Sequence, residues 1–253
     1  MRKIRFVAHR GESSVAPENT REAFVLAWRN RVSWGVETDV YLTTDNVLVC
    51  MHDPNTRRTC GVDWNVREHS LAQLKTLDAG VWKGAQWLNC RVPTLREVLE
   101  TMPTDGHIFV EIKSAGGGFP EAFEEARIAS GVRPDQISFI SFSGNELNIA
   151  RAALPEYKQY LLRYSGKSKT GPGPELTAEA LIAEMRELGV DGVDFAAEGM
   201  CYDAEYVKKV HDAGFEFHVW TVDLLEDALE LASRGVDSIT TNCPAVLAAG
   251  WPE

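Results

Sequence analysis

Short apolar runs alternate with amphipathic helical patterns along the whole chain. The runs with strand character cover 4–8, 35–40, 107–113, 136–142, 157–164, 192–195, 216–222 and 237–241. In the segments between them, apolar residues recur at the three- and four-residue spacing of a helix face. These helical segments cover 18–30, 94–102, 119–130, 144–154, 177–188, 203–213 and 224–234. Strands that alternate with helices predict a parallel sheet, and about 250 residues is the usual length of a (β/α)₈ barrel. We therefore expect an α/β protein with the (β/α)₈ TIM-barrel fold.

A further apolar run, 47–53, reads as a ninth strand, but only the turn 43–46 separates it from the second strand region. So short a link joins antiparallel strands, because a parallel crossover needs about a dozen residues or more. We interpret 40–52 as a β-hairpin excursion after strand two. This hairpin places His52 beside Glu37, at the rim where barrel active sites lie.

Residues 54–92 contain no clear barrel unit, although 70–77 has a helical pattern and three tryptophans lie in the segment. We interpret 54–92 as a small insertion over the barrel mouth, within one domain that spans 1–253. Thr94, with Glu97 three positions later, predicts a capping box at a helix start. The segment 165–175 is predicted to be a flexible loop.

Composition narrows the possible partners and the location of the protein. The formal net charge is −11, which argues against a nucleic-acid partner but not against a small phosphate ester. The sequence contains no apolar stretch of about 20 residues, so we expect no membrane-spanning helix. The five cysteines are scattered without a CxxC pair, which indicates free thiols in a cytoplasmic protein. The oligomeric state stays open, and a homo-oligomer is one alternative.

Charged residues cluster at the carboxyl ends of the predicted strands. Glu37 and Asp39 are two positions apart and so face the same side of their strand, as do Glu111 and Lys113. Three carboxylates at one barrel mouth would repel each other. A divalent cation resolves this, and oxygen ligands suit Mg²⁺, Ca²⁺ or Mn²⁺. The alternative is a set of solvated carboxylates or a salt-bridge network with Arg10 and Lys113.

Two histidines, His9 and His52, flank this cluster. Histidine titrates near neutral pH, so the pair could remove one proton and supply another. Arg10 and Lys113 are suited to phosphate oxygens. We interpret the other four histidines as structural residues; they are His69, His107, His211 and His218. Of these four, His218 comes nearest to a functional assignment.

The sequence resembles the glycerophosphodiester phosphodiesterases from about residue 7 to residue 244. The matching motifs are AHRGESSVAPENT, ETDVYLTTDNVLVCMHD, RRT, VPTLREVL, VEIKS and HVWTVD. The resemblance implies hydrolysis of glycerophosphodiesters to glycerol 3-phosphate and an alcohol, usually with Mg²⁺ or Ca²⁺. It implies that His9 and His52 are the general acid and base. It also implies that the metal ligands are Glu37, Asp39 and Glu111.

The resemblance further implies a set of substrate-binding residues. Arg10 and Lys113 would bind the phosphate, Asn19 and the PENT turn would shape the wall around it, and Phe142 and Trp220 would line the pocket. The nucleophile it suggests is the glycerol's own 2-hydroxyl, which gives a cyclic phosphate that water opens. Direct attack by water is the alternative. Which histidine is the base stays open.

The motif ITTNCP departs from the family pattern, because Asn242 stands where an aspartate is common. We expect this change to alter packing or one wall of the pocket rather than catalysis.

The sequence leaves two other functions open. A lysophospholipase D-like enzyme would need an apolar groove, which the tryptophans of 54–92 could supply. A non-catalytic binding barrel would not need both histidines and all three carboxylates.

Overall fold

The computed structural model describes residues 4–164, 167–168, 171–172, 176–198 and 202–252. Its strands are β1 (Arg5–His9), β2 (Ser33–Leu42), β3 (Leu48–Cys50), β4 (His107–Ile112), β5 (Ile137–Ser141), β6 (Lys158–Arg163), β7 (Lys167–Ser168), β8 (Gly171–Pro172), β9 (Gly192–Ala196), β10 (Glu216–Trp220) and β11 (Ser238–Thr241). Its helices are α1 (Arg21–Arg29), α2 (Arg57–Cys60), α3 (Leu71–Leu74), α4 (Leu95–Leu99), α5 (Phe119–Ser130), α6 (Gly144–Ala153), α7 (Ala178–Leu188), α8 (Ala204–Asp212), α9 (Leu225–Ser233) and α10 (Pro244–Gly250).

Eight parallel strands of the described ranges close into a barrel. Their order is β1-β11-β10-β9-β6-β5-β4-β2, and pairing of β1 with β2 completes the ring. Buried residues that face inward fill the barrel; they include Val7, Phe109, Ile140, Tyr160 and Leu162. The outer faces of the strands pack on the helices in two larger apolar clusters. The predicted TIM-barrel fold is confirmed, and each predicted barrel strand and helix is present, with the predicted ends for α5 and shifted ends for the others.

The predicted hairpin is also confirmed. β2 and β3 pair antiparallel, with Val40 opposite Cys50 and Leu42 opposite Leu48. Because β2 continues past the barrel wall, it carries the chain over the mouth and returns His52 to the rim.

Residues 54–92 form α2, α3 and three short 3₁₀ helices rather than a barrel unit. Their apolar residues make a separate small core with β3, which includes Val49, Met51 and Leu74. The helix predicted over 70–77 is shorter, Leu71–Leu74, and begins at a capping box of Ser70 and Gln73. The capping box of Thr94 and Glu97 is present as predicted.

The C-terminal helix α10 was missed by the sequence patterns. Its segment is apolar without a helical period, and Pro244 in its first turn is favourable for a helix start. The predicted loop 165–175 lies mostly outside the described residues; its described parts, β7 and β8, pair antiparallel. Across the part of the chain that is described, no helix has the length and apolar character that crossing a membrane requires.

Candidate active site

Strand register brings the predicted polar residues together at the carboxyl end of the barrel. His9 ends β1 and pairs with Glu37 on β2, while Asp39 pairs with Glu111 on β4. Residues paired across neighbouring strands point to the same side of the sheet. Since Glu37 and Asp39 are two apart on one strand, all four side chains share the barrel mouth.

The three carboxylates form a compact buried cluster. Within the described residues, Glu37, Asp39 and Glu111 are the group whose oxygen atoms lie within 4.8 Å of one another and could hold a metal ion. Burial and then the charge of Asp39 raise the pKa of Glu37 well above its ordinary value, and they raise that of Glu111 to about 7. This repulsion and the all-oxygen donor set fit a hard divalent cation.

Asp39 is held on both carboxylate oxygens. Asn19 Nδ2 donates to Asp39 Oδ2 at 2.9 Å, and Lys113 Nζ lies 2.8 Å from Asp39 Oδ1 and 2.6 Å from Glu111 Oε1. Arg10 Nε lies 3.4 Å from Asp39 Oδ2. Burial raises the pKa of Asp39, but the charges of Lys113 and Arg10 outweigh it and place this pKa below its ordinary value. Asp39 is therefore the anionic centre of the cluster.

The residues predicted to bind phosphate lie against these carboxylates. The backbone N–H of Arg10 donates to Glu37 Oε2 at 3.1 Å, and its guanidinium donates to Glu18 at 2.8 Å. Both the nitrogen and the oxygen of the Asn19 carboxamide are bonded within the protein, because Oδ1 also accepts from Thr38 Oγ1 at 2.8 Å. Asn19 therefore orients Asp39, a role that the sequence did not reveal.

His9 is fixed by the residue that departs from the family pattern. Its Nδ1 lies 2.8 Å from Asn242 Oδ1, which also accepts from Ser13 Oγ. Asn242 Nδ2 donates to the Asp223 carboxylate at 2.6 Å, so the amide oxygen must face His9. We infer that Nδ1 of His9 carries its proton and Nε2 is free. Burial and then Arg10 lower the pKa of His9 to about 4. The sequence predicts that the change at Asn242 alters packing or one wall of the pocket, and it gives no sign of this contact with His9.

His52 has a different partner, an anionic one. Its Nδ1 lies 2.7 Å from Asp53 Oδ1. Arg58, on α2, donates to Asp53 at 2.8 Å and to both oxygens of Glu18 at 2.7 and 2.8 Å. Glu18 in turn accepts from Arg10, so one chain of charged groups links the two sides of the site. The motif RRT is the sequence signal for Arg58.

Both histidines face one cavity that an aromatic wall completes. The lining residues are His9, Arg10, Glu37, His52, Glu111, Ile140, Phe142, Leu162, Tyr164, Asp194, Trp220 and Thr240. The rings of Phe142 and Trp220 meet edge to face at 5.6 Å, and Tyr164 stacks on Phe142 at 5.1 Å. Sequence reasoning missed Tyr164, Asp194 and Thr240; Tyr164 follows β6, Thr240 lies near the carboxyl end of β11 and Asp194 lies in the middle of β9.

The residues assigned to structure have partners elsewhere. Each of the four histidines outside the site contacts a specific neighbour; the pairs are His69 with Trp64, His107 with Ser138, His211 with Asp237, and His218 with Ser238. Among the described cavity residues, none is a tryptophan of 54–92. Within the described residues, these tryptophans therefore do not supply this cavity with the apolar groove that a lysophospholipase D-like enzyme would need.

Comparisons with known proteins agree with this geometry. The sequence profile of the glycerophosphoryl diester phosphodiesterase family matches residues 9–246. A glycerophosphodiester phosphodiesterase of Caldanaerobacter subterraneus subsp. tengcongensis is 29% identical over 97% of this chain and 96% of that protein. One from Bacillus subtilis is also 29% identical, over 96% of this chain and 84% of that protein. The structure of an Oleispira antarctica phosphodiesterase, in complex with the product sn-glycerol-3-phosphate, is 28% identical with a TM-score of 0.84, and the match covers 97% and 95% of the two chains. The chain belongs to the glycerophosphoryl diester phosphodiesterase family, a family of hydrolases.

Proposed function

We propose that this protein hydrolyses glycerophosphodiesters to glycerol 3-phosphate and an alcohol. The observation that carries the proposal is the convergence of His9, His52 and a three-carboxylate cluster on one cavity. A phosphodiester needs charge neutralised at phosphorus, a proton removed from the attacking hydroxyl and a proton supplied to the departing oxygen. The cavity contains a candidate for each of these tasks.

Glu37, Asp39 and Glu111 would hold one divalent cation, Mg²⁺ or Ca²⁺, with Mn²⁺ as an alternative. When bound, the cation supplies positive charge next to the phosphate. Arg10 and Lys113 add the fixed positive charges of this chain on the same side of the cavity. Phe142 and Trp220 line the part of the cavity that the substrate would occupy.

The different partners of the two histidines suggest different roles. His9 is held by a neutral amide and buried, so it stays uncharged with Nε2 free to accept a proton from the attacking hydroxyl. His52 has an anionic partner instead, because its Nδ1 lies 2.7 Å from the carboxylate oxygen Oδ1 of Asp53. We therefore assign His9 as general base and His52 as general acid. The attacking hydroxyl is the substrate's own 2-hydroxyl, and water then opens the cyclic phosphate.

Release of glycerol 3-phosphate tests this proposal. Glycerophosphodiesters with different head groups are assayed with Mg²⁺, Ca²⁺ and Mn²⁺ in turn, before and after chelation with EDTA. We expect release that stops on chelation and returns with metal. His211→Ala, a change at a histidine bonded to Asp237 outside the site, is the matched control and keeps full activity. No release with any metal contradicts the activity, and full activity after exhaustive chelation contradicts the metal requirement.

The same proposal places the protein at a junction of lipid and glycerol metabolism, where it would act on small soluble diesters. We further propose that it is cytoplasmic, because Cys50, Cys60, Cys90 and Cys243 are all free thiols in the structure. A homo-oligomer is compatible with this function, and light scattering of the purified protein measures the oligomeric state.

A further inference from the structure

Asp194 is a buried acidic residue of the cavity that the proposed reaction does not use. It lies in the middle of β9, and its side chain faces the barrel interior. Only 2% of its surface is exposed. Among the described residues, none forms a hydrogen bond with its Oδ1. Buried polar atoms nearly always have a hydrogen-bond partner. A carboxyl oxygen without one, in an active-site cavity, therefore indicates that a bound ligand is its partner.

The strands on either side of Asp194 do not supply that partner. On β6 the residue in register is Leu162, which has no polar side-chain atom. On β10 it is His218, and both of its ring nitrogens are occupied, one by Ser238 at 2.8 Å and one by Glu216 at 3.3 Å. The backbone of Asp194 is held separately, because its carbonyl accepts from the indole N–H of Trp220 at 3.0 Å. The carboxyl group therefore stays available for a ligand.

The chemistry of the site limits what that ligand group can be. Asp194 lies outside the cluster of Glu37, Asp39 and Glu111, the group that could hold a metal within the described ranges. Burial and then the charge of Glu111 raise the pKa of Asp194 to about 8. A carboxylate would repel a phosphate oxygen, whereas a hydroxyl group can donate to the ionised form and accept from the protonated form. A hydroxyl group fits both.

The depth of Asp194 indicates which part of the substrate reaches it. At the outer end of the cavity, Phe142 is 37% exposed and Tyr164 is 59% exposed. This open end can accept head groups of different size. The inner end, where Asp194 lies, is enclosed and suits the part that all glycerophosphodiesters share, their glycerol moiety.

We propose that Asp194 is a specificity-determining residue that hydrogen-bonds a hydroxyl group of the substrate's glycerol moiety. This inference rests on the proposed function. A head group such as glycerol or a sugar also carries hydroxyls, so the test must separate the two sources.

Product inhibition separates them, because the product contains no head group. Inhibition constants are measured for glycerol 3-phosphate and for propyl phosphate, which has the same phosphate and chain length but no hydroxyl. For the unmodified enzyme we expect glycerol 3-phosphate to bind at least about 10-fold more tightly. In Asp194→Ala this preference falls to less than about 3-fold, while the propyl phosphate constant stays the same. Asp194→Asn keeps a hydrogen-bonding group and retains part of the preference.

Stability provides a second readout that distinguishes binding from a structural role. Since the carboxyl oxygen is unpaired, its removal in Asp194→Ala or Asp194→Leu leaves the Tm unchanged or raised. A fall in Tm of both variants, or an unchanged preference for glycerol 3-phosphate, overturns the inference. So does a loss confined to substrates with hydroxylated head groups. If the unmodified enzyme releases no glycerol 3-phosphate, the proposed function itself fails, which is a different result.

Discussion

The contact between Asn19 and Asp39 gives the sharpest test of the proposed metal site. Asn19 donates from Nδ2 to Asp39 Oδ2 at 2.9 Å and accepts from Thr38 at 2.8 Å. Its φ of 53° lies in the left-handed region. Replacing Asn19 by glycine removes the carboxamide, and glycine accepts this backbone conformation without strain. Asn19→Ala removes the same group but adds left-handed strain of about 1–2 kcal/mol.

The size of the effect follows from the charge on Asp39. A hydrogen bond to an ionised group contributes about 1.5–3 kcal/mol, and about 1.4 kcal/mol corresponds to a tenfold change in an equilibrium constant. We therefore expect Asn19→Gly to bind the divalent cation roughly 10- to 100-fold more weakly. This is the range typical for residues that orient metal ligands. Asn19→Ala should have the same metal affinity as Asn19→Gly but a lower Tm than that variant.

Calorimetric titration of the metal-free enzyme with Mg²⁺ or Ca²⁺ measures this affinity directly. Asn46→Gly is the matched control: Asn46 also has a left-handed φ, 60°, but lies in the exposed hairpin turn. Its metal affinity should equal that of the unmodified protein. If Asn19 instead shaped the phosphate wall, as the family resemblance implies, Asn19→Gly would raise KM at saturating metal and leave metal affinity unchanged. That result would refute the reasoning.

Three further predictions follow from the site and the cysteines. His9→Ala and His52→Ala should each lower turnover by about 10²–10⁴-fold, with metal affinity nearly intact, and the double variant should lose less than the product of the two. A nitrophenyl leaving group needs little protonation, so it should rescue His52→Ala and not His9→Ala; the opposite pattern reverses the acid and base assignment. Asn242→Asp should lower the Tm by a few degrees, because about 1 kcal/mol is lost when an amide donor to Asp223 becomes a second carboxylate. Asp223→Asn in the same protein should restore the Tm, and an unchanged Tm in Asn242→Asp contradicts the contact. Thiol titration of the denatured, unreduced protein should find five free thiols; fewer than four contradicts the structure.

The sequence by itself determined the barrel and the three-carboxylate cluster. Both depend on short-range rules: side chains two apart on a strand share a face, and parallel strands of one barrel end at the same rim. The hairpin follows in the same way, because a turn of a few residues can join only antiparallel strands. These rules were enough to place Glu37, Asp39 and Glu111 together and to bring His52 to the same end of the barrel.

Only the tertiary structure decided how each of these groups is oriented. His9 is bonded to Asn242, 233 positions away, and Arg58 reaches Glu18 across 40 positions. Among the residues that the structure describes, Asp194 Oδ1 has no hydrogen-bond partner, because its neighbours in register, Leu162 and His218, are apolar or already bonded. Such pairings depend on strand register, barrel closure and side-chain rotamers acting between distant segments. No local period encodes them, which is why the residues that meet at the barrel mouth could be predicted from the sequence while the partners that orient them could not.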